Sequence, residues 1–285
     1  MSAVDFSKLI SLSVSIEDKV AHIQLCRPEK LNSMIPDFWA ELPAVVRQID
    51  LNSAARVIVI SAQGKHFSAG MDLAVFSKMG EDFGGEPARV AERMRRMVLE
   101  LQDSFNALEN CRLPVLVAVQ GGAIGGAMNM IAACDSRYCT EDAFFTIKET
   151  EIGMTADVGV LQRLPYLMPE GLVRELAYTG RKMDSTEAKA CGLVNQVFAD
   201  QETMLKDVMD IAAKIAANSP LAVTGCKEML NYSRDHSVAD SLHYMATWQS
   251  GMIQMADIKE SMEAGQQKRL PEYDELHTKK SLMNP

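Results

Sequence analysis

The chain of 285 residues is 47% hydrophobic and 24% charged, and its 29 Lys and Arg against 38 Asp and Glu leave a formal net charge of −9. That length can bury a substantial core, in one large domain or a domain with a smaller appendage. The acidic balance argues against nucleic acid as a partner, because phosphate binding relies on clustered Lys and Arg, and no apolar run approaches the roughly 20 residues that cross a bilayer, so no membrane partner is expected.

The first residues carry acids early, lack a basic stretch leading into an apolar one, and are not Arg-rich, while the C-terminal Ser281-Leu282-Met283-Asn284-Pro285 contains no peroxisomal tripeptide. A cytoplasmic location is expected. Six scattered cysteines form no C-x-x-C pair and read as reduced core thiols. The five histidines include no H-E-x-x-H motif and no cluster with ligand spacing, so no metal is expected.

Leu12, Val14 and Ile16 alternate with polar residues, Glu17-Asp18-Lys19 interrupt, and a second alternating run follows to Leu25, which predicts a β-hairpin. Residues 36–52 open with Pro36-Asp37 and carry Phe38, Leu42, Val45, Val46 and Ile49 at helical spacing. Val57-Ile58-Val59-Ile60 reads as a strand buried on both faces. A loop from Gly64 to Gly70 leads to a long amphipathic helix over 87–110, then a second buried strand over 115–119 that runs into a glycine turn and a short helix over 127–133. Short strands are predicted near 137–139, 143–147 and 193–198. Alternation of strands and helices makes the class α/β. From about 200 the pattern is helical only, over 200–218, 220–233 and 238–265, which divides the chain into a core over 1–199 and a helical region over 200–285. The apolar stripes of those helices exceed what a small appendage can bury alone, so docking on another subunit is expected.

Two glycine turns occur in the same setting of buried strand, loop and helix: His66-Phe67-Ser68-Ala69-Gly70-Met71-Asp72 and Gly121-Gly122-Ala123-Ile124-Gly125-Gly126. The second lacks the glycine spacing of a dinucleotide fingerprint and the Lys of a P-loop. What remains is glycines that serve tight turns alone, or backbone N–H groups that polarise one carbonyl oxygen.

These two segments, together with Arg27-Pro28-Glu29-Lys30-Leu31-Asn32-Ser33 and Ala133-Cys134-Asp135-Ser136-Arg137-Tyr138, resemble the enoyl-CoA hydratase/isomerase (crotonase) superfamily, over about residues 11 to 265. The resemblance implies a crotonase-like spiral of ββα units, a C-terminal helical trimerisation region, trimers or dimers of trimers, and a coenzyme A thioester as substrate with no separate cofactor. It also implies that the N–H groups of Met71 and Gly126 hold the thioester oxygen, that Arg27 and Lys30 lie beside the nucleotide, and that Ala69, Gly70, Asp72 and Gly125 edge the pantetheine channel. Asp72 has a second reading as the cap of the helix that follows, and Asp135 reads as structural.

Within the superfamily, the stretch from Lys148 to Gly159, the run Leu161-Gln162-Arg163-Leu164-Pro165 and the segment around Ser233-Arg234-Asp235-His236 resemble the Δ3,5-Δ2,4-dienoyl-CoA isomerases most. Such an enzyme of fatty-acid β-oxidation removes a proton from C2 of a 3,5-dienoyl thioester and returns one at C6. The resemblance makes Glu149 and Asp157 the two proton carriers, with Asp157 expected at C2 and Glu149 at C6, or the reverse. Where the isomerase pattern has Asp, this chain has Asn129, which cannot exchange a proton near neutral pH, so hydration by paired carboxylates is expected to be weak or absent. Asn129 is expected instead to orient one of the acids. The competing readings are a Δ3-Δ2-enoyl-CoA isomerase using Glu149 alone, a hydratase or lyase, and a non-catalytic CoA- or RNA-binding homologue.

Overall fold

The computed structural model describes residues 4–75 and 84–279; residues 1–3, 76–83 and 280–285, with the C-terminal tripeptide, lie outside the described residues. The predicted hairpin is β1 (Leu12–Glu17) and β2 (Val20–Leu25), paired antiparallel. Its turn residues Asp18 and Lys19 take φ of 45° and 67°, as a two-residue turn must to match strand twist. Helix α1 (Pro36–Asn52) and β3 (Val57–Ala62) follow, then α2 (Pro87–Asn110) and β4 (Val115–Val119).

The glycine turn is not a plain loop. Gly122–Ile124 forms β5, which pairs in parallel with β7 (Phe144–Thr146), and α3 (Gly126–Ala132) starts immediately after it. Between them in sequence, β6 (Ser136–Thr140) returns to the main sheet. Then come α4 (Val160–Arg163), α5 (Glu170–Thr179), β8 (Met183–Asp184), α6 (Ser185–Ala190) and β9 (Gln196–Phe198).

The larger sheet has the order β1-β2-β3-β4-β6-β9, parallel except for β1, and the smaller one the order β5-β7-β8. Strands β3 and β4 are buried along their whole length, which explains why neither alternates apolar with polar residues, as in Val57-Ile58-Val59-Ile60 and Val115-Leu116-Val117-Ala118-Val119. Alternate residues serve two cores. Ile58, Ile60, Val115 and Val117 face the one that includes α1 and α2, while Val57, Val59, Leu116 and Ala118 face α7 (Gln201–Ala216). The first of the late helices is thus part of the sheet's own packing.

Helices α8 (Pro220–Tyr232), α9 (Val238–Met252) and α10 (Met255–Gln267) complete the chain. The single helix predicted over 238–265 is two helices, because Ile253 and Gln254 are extended between them. Helix α9 has no buried residue. The cysteines are free; Cys111, Cys134 and Cys139 are buried as expected of core thiols, whereas Cys26 and Cys191 are only half-buried and Cys226 on α8 is exposed.

Candidate active site

Both glycine turns leave the carboxyl ends of neighbouring parallel strands, β3 and β4, the edge where open parallel sheets bind ligands. The turns are stitched together. Ser68 N donates to Gly122 O over 3.0 Å and Ile124 N to Ser68 O over 3.1 Å. Asn32, 3% exposed, braces the first turn: its Nδ2 donates to Gln63 O and His66 O, and its Oδ1 accepts from Arg27 N.

Gly70 has φ of 80°, and a Cβ there would sit 2.5 Å from Ile124 O and 3.1 Å from Gly126 N, so only glycine lets the turns close. With them closed, a Cβ on Gly126 would lie 3.6 Å from Met71 N. The backbone nitrogens of Met71 and Gly126 are therefore neighbours, and the latter, as the first residue of α3, has no acceptor within its own helix. Two neighbouring donors of this kind hold an oxygen that gains negative charge.

Next to this pair lies a cavity of 120 Å³, lined by Ala69, Gly70, Met71, Gly125, Gly126, Trp39 and the two acids Glu149 and Asp157. Glu149 is 8% exposed. Its Oε1 accepts from Asn129 Nδ2 over 2.9 Å, and its Oε2 is buried without a partner among the described residues. Burial pushes the Glu149 carboxyl above its ordinary value, the hydrogen bonds to it pull the other way, and the charge of Asp157 adds to the rise. Burial raises Asp157 as well.

Asn129 is fully buried on α3. Its Nδ2 also donates to Gly125 O over 3.1 Å, and its Oδ1 accepts from Val160 N over 2.8 Å, three residues after Asp157. One amide thus ties Glu149, the glycine turn and the start of α4 together. A Cβ on Gly125 would lie 3.7 Å from Glu149 Oε1, so this carboxyl lies beside the second glycine turn. Asp157 is fixed from another direction, by Gln102 Nε2 on α2, which donates to Asp157 O over 2.7 Å.

The cavity does not gather every residue the sequence suggested. Asp72 accepts from Ser33 Oγ and from Ala74 N, which is the capping reading, and these bonds hold its carboxyl below the ordinary value. Arg27 turns back to donate from Nη1 to Ser33 O, and Lys30 is exposed. Asp135 is structural: its Oδ2 accepts from Val115 N over 2.7 Å and pairs with the buried Lys227 at 2.9 Å. Sequence reasoning missed Trp39 and Gln102, both on helices for which only the apolar spacing was read. The available signal was the polar row Gln102, Asn106, Glu109 beside the apolar row Leu101, Phe105, Leu108 on α2.

Residues 15–276 match the family described as enoyl-CoA hydratase/isomerase. The chain is 46% identical over 257 residues to the mitochondrial Δ(3,5)-Δ(2,4)-dienoyl-CoA isomerase of Mus musculus, a match that covers 90% of this chain and 79% of the mouse protein. Identity to the peroxisomal Δ(3,5)-Δ(2,4)-dienoyl-CoA isomerase of Arabidopsis thaliana is 39% over 278 residues, 97% of this chain and all of that one. Among solved structures, an enoyl-CoA hydratase from Bacillus anthracis superimposes with a TM-score of 0.83 at 30% identity, over 95% of this chain and 100% of that one.

Proposed function

The chain belongs to the enoyl-CoA hydratase/isomerase family, and we propose that it is an isomerase that converts a 3,5-dienoyl-CoA to the 2,4-dienoyl-CoA in fatty-acid β-oxidation. The observation that carries the reading is one small cavity with two acids, the buried Glu149 and the half-buried Asp157, beside two neighbouring N–H groups.

The thioester oxygen accepts from Met71 N and Gly126 N. Because the carboxyl of Glu149 lies beside the glycine turn that opens the helix of Gly126, we assign Glu149 to C2 and Asp157 to C6, the reverse of the order first expected. Ionised Glu149 takes a proton from C2, and the electron pair of that C–H bond spreads over the conjugated chain onto the thioester oxygen, where the N–H pair stabilises it. Protonated Asp157 gives its proton to C6, and the electrons return from the oxygen as the 2,4-diene forms. Glu149 ends protonated and Asp157 ionised, so a proton exchange with solvent restores the starting state. Raised carboxyl pKa values suit acids that must hold and release a proton near neutrality. The scheme balances with proton transfers alone; coenzyme A is part of the substrate and no separate cofactor is called for.

Asn129 disfavours the hydratase reading, since it leaves Glu149 without a second proton-carrying group at that position. It orients Glu149 instead. A homotrimer or a pair of trimers is the proposed assembly, supported by α9 and α10, where Leu242 and Met262 are 66% and 65% exposed. Among the described residues no helix is long and apolar enough to cross a membrane. Cytoplasm is the compartment proposed, against relatives whose names place them in mitochondria and peroxisomes.

The test is the ultraviolet absorbance of the conjugated 2,4-dienoyl thioester on mixing with 3,5-octadienoyl-CoA, with crotonyl-CoA hydration run in parallel. Dienoyl formation without hydration is expected; hydration without isomerisation would overturn the proposal.

A further inference from the structure

Behind the turn that carries Asp157 lies a cleft of 500 Å³, walled by α2, by residues 159–166 and by the end of α8 with the residues after it. It contains a charged cluster that the proton-transfer scheme leaves unused. Arg163 donates from Nε and Nη2 to Glu109 Oε2, over 3.1 and 2.7 Å, and from Nη2 to Asn106 Oδ1 over 2.7 Å. Arg234 pairs with the other oxygen of Glu109. Gln102, one and two turns before Asn106 and Glu109 on the same face of α2, is the residue that holds Asp157 O.

The cluster reaches the catalytic turn at a second point. Arg163 N donates to Gly159 O over 3.1 Å, and Arg163 Nη1 fills the place beside Gly159 where a Cβ would stand. Gly159 has φ of 111°, a conformation that also favours glycine. The Arg163 and Glu109 side chains are 11% and 19% exposed. Desolvation offsets much of what so enclosed a pair contributes to stability, whereas its directed, planar fork fixes an angle that an apolar contact would leave free.

We propose that Gln102 and Arg163 are positioning residues for Asp157: Gln102 fixes its backbone carbonyl, Arg163, held by Glu109, fixes the Gly159 turn, and together they aim the carboxyl at the far end of the acyl chain. The inference rests on Asp157 as the acid of the proposed reaction. A catalytic group misplaced by about 1 Å can lose about 10²-fold in rate. Delivery of a proton to C6 then becomes slow, and the dienolate reverts by taking a proton back at C2.

The experiment uses 3,5-octadienoyl-CoA in D2O with the full-length protein and its Gln102→Leu, Arg163→Gln and Asp157→Asn variants. Product is followed by absorbance, and deuterium at C2 of recovered substrate by mass spectrometry. In Gln102→Leu and Arg163→Gln, kcat should fall by about 10- to 100-fold with KM little changed, and the ratio of C2 deuterium to product should rise. A smaller folded fraction would lower both signals together and leave that ratio alone. Adding Glu109→Gln to Arg163→Gln should cost little more than Arg163→Gln by itself, since the two act as one unit. If Arg163→Gln does not fold, Gln102→Leu decides. Loss of product in Asp157→Asn with a wild-type ratio in the folded positioning variants overturns this inference alone; wild-type turnover in Asp157→Asn overturns the acid assignment and the inference with it.

Discussion

Asn129 Nδ2 donates to Glu149 Oε1 over 2.9 Å while Asn129 Oδ1 accepts from Val160 N over 2.8 Å, so the amide has a single orientation and it presents an N–H to the carboxylate. That N–H stabilises the ionised form of Glu149 and opposes the rise that burial imposes. Asn129→Asp replaces a donor with a second acid beside Glu149 and should raise the Glu149 pKa further. The acid limb of the kcat/KM profile, which reports ionisation of the C2 base in the free enzyme, should move to higher pH with the plateau nearly kept. An unmoved limb would show that Asn129 does not govern this carboxyl.

Both acids sit in surroundings that favour their neutral forms, and stability should reveal it. Glu149 and Asp157 have raised pKa values in the folded chain, so from the ordinary carboxylate range upward the unfolded state has released protons that the folded state still holds. Their ionisation therefore costs stability as pH rises through the folded values, and below the unfolded values the cost is absent. Glu149→Gln should lower kcat by about 10²–10⁴-fold and yet raise Tm at pH 7 to 8, by roughly 2–4 °C for each kcal/mol gained, with the gain gone near pH 3. A Tm that falls at pH 8 in calorimetry would contradict the direction assigned to Glu149.

How far these features could be read in advance depends on how local their causes are. The hairpin, β3 and β4 were legible because alternation and short unbroken apolar runs record which faces are buried. Strand β5 was not, because its partner β7 lies twenty residues on and glycine-rich residues carry no strand signal of their own. The break at Ile253 and Gln254 lacks proline, and an exposed helix offers no buried stripe to mark where it stops. Glu149, Asp157 and the Met71 and Gly126 turns were legible through resemblance. Gln102 and the Arg163–Glu109 pair were not, since polar residues on an amphipathic helix look like its solvent face until the fold lays another segment against them.

The N–H of Gly126 can be removed with little damage to the helix it begins. Proline is accepted at the first position of a helix, where its missing N–H has no intrahelical acceptor. The new side chain would meet Met34 Sδ at 3.1 Å, the flexible part of a thioether chain. Gly126→Pro should therefore keep its Tm within a few degrees and lose about 10²–10³-fold in kcat, the effect of deleting one oxyanion donor. Normal turnover in the folded variant would remove Gly126 from the site.

The outer helices make a separate prediction about assembly. Leu242, Met245 and Met252 on α9 and Met255 and Met262 on α10 are all at least 39% exposed in the single chain, and apolar residues clustered at this density in water mark an interface. A closed homo-oligomer would cover them with the same surfaces of its other copies or with complementary ones. Sedimentation equilibrium should return a mass near three or six times that of the chain. Leu242→Glu with Met262→Glu should shift the protein toward single chains, because each substitution would place a charge in a desolvated contact. A wild-type protein that sediments as one chain at micromolar concentration would leave this apolar face to a different partner.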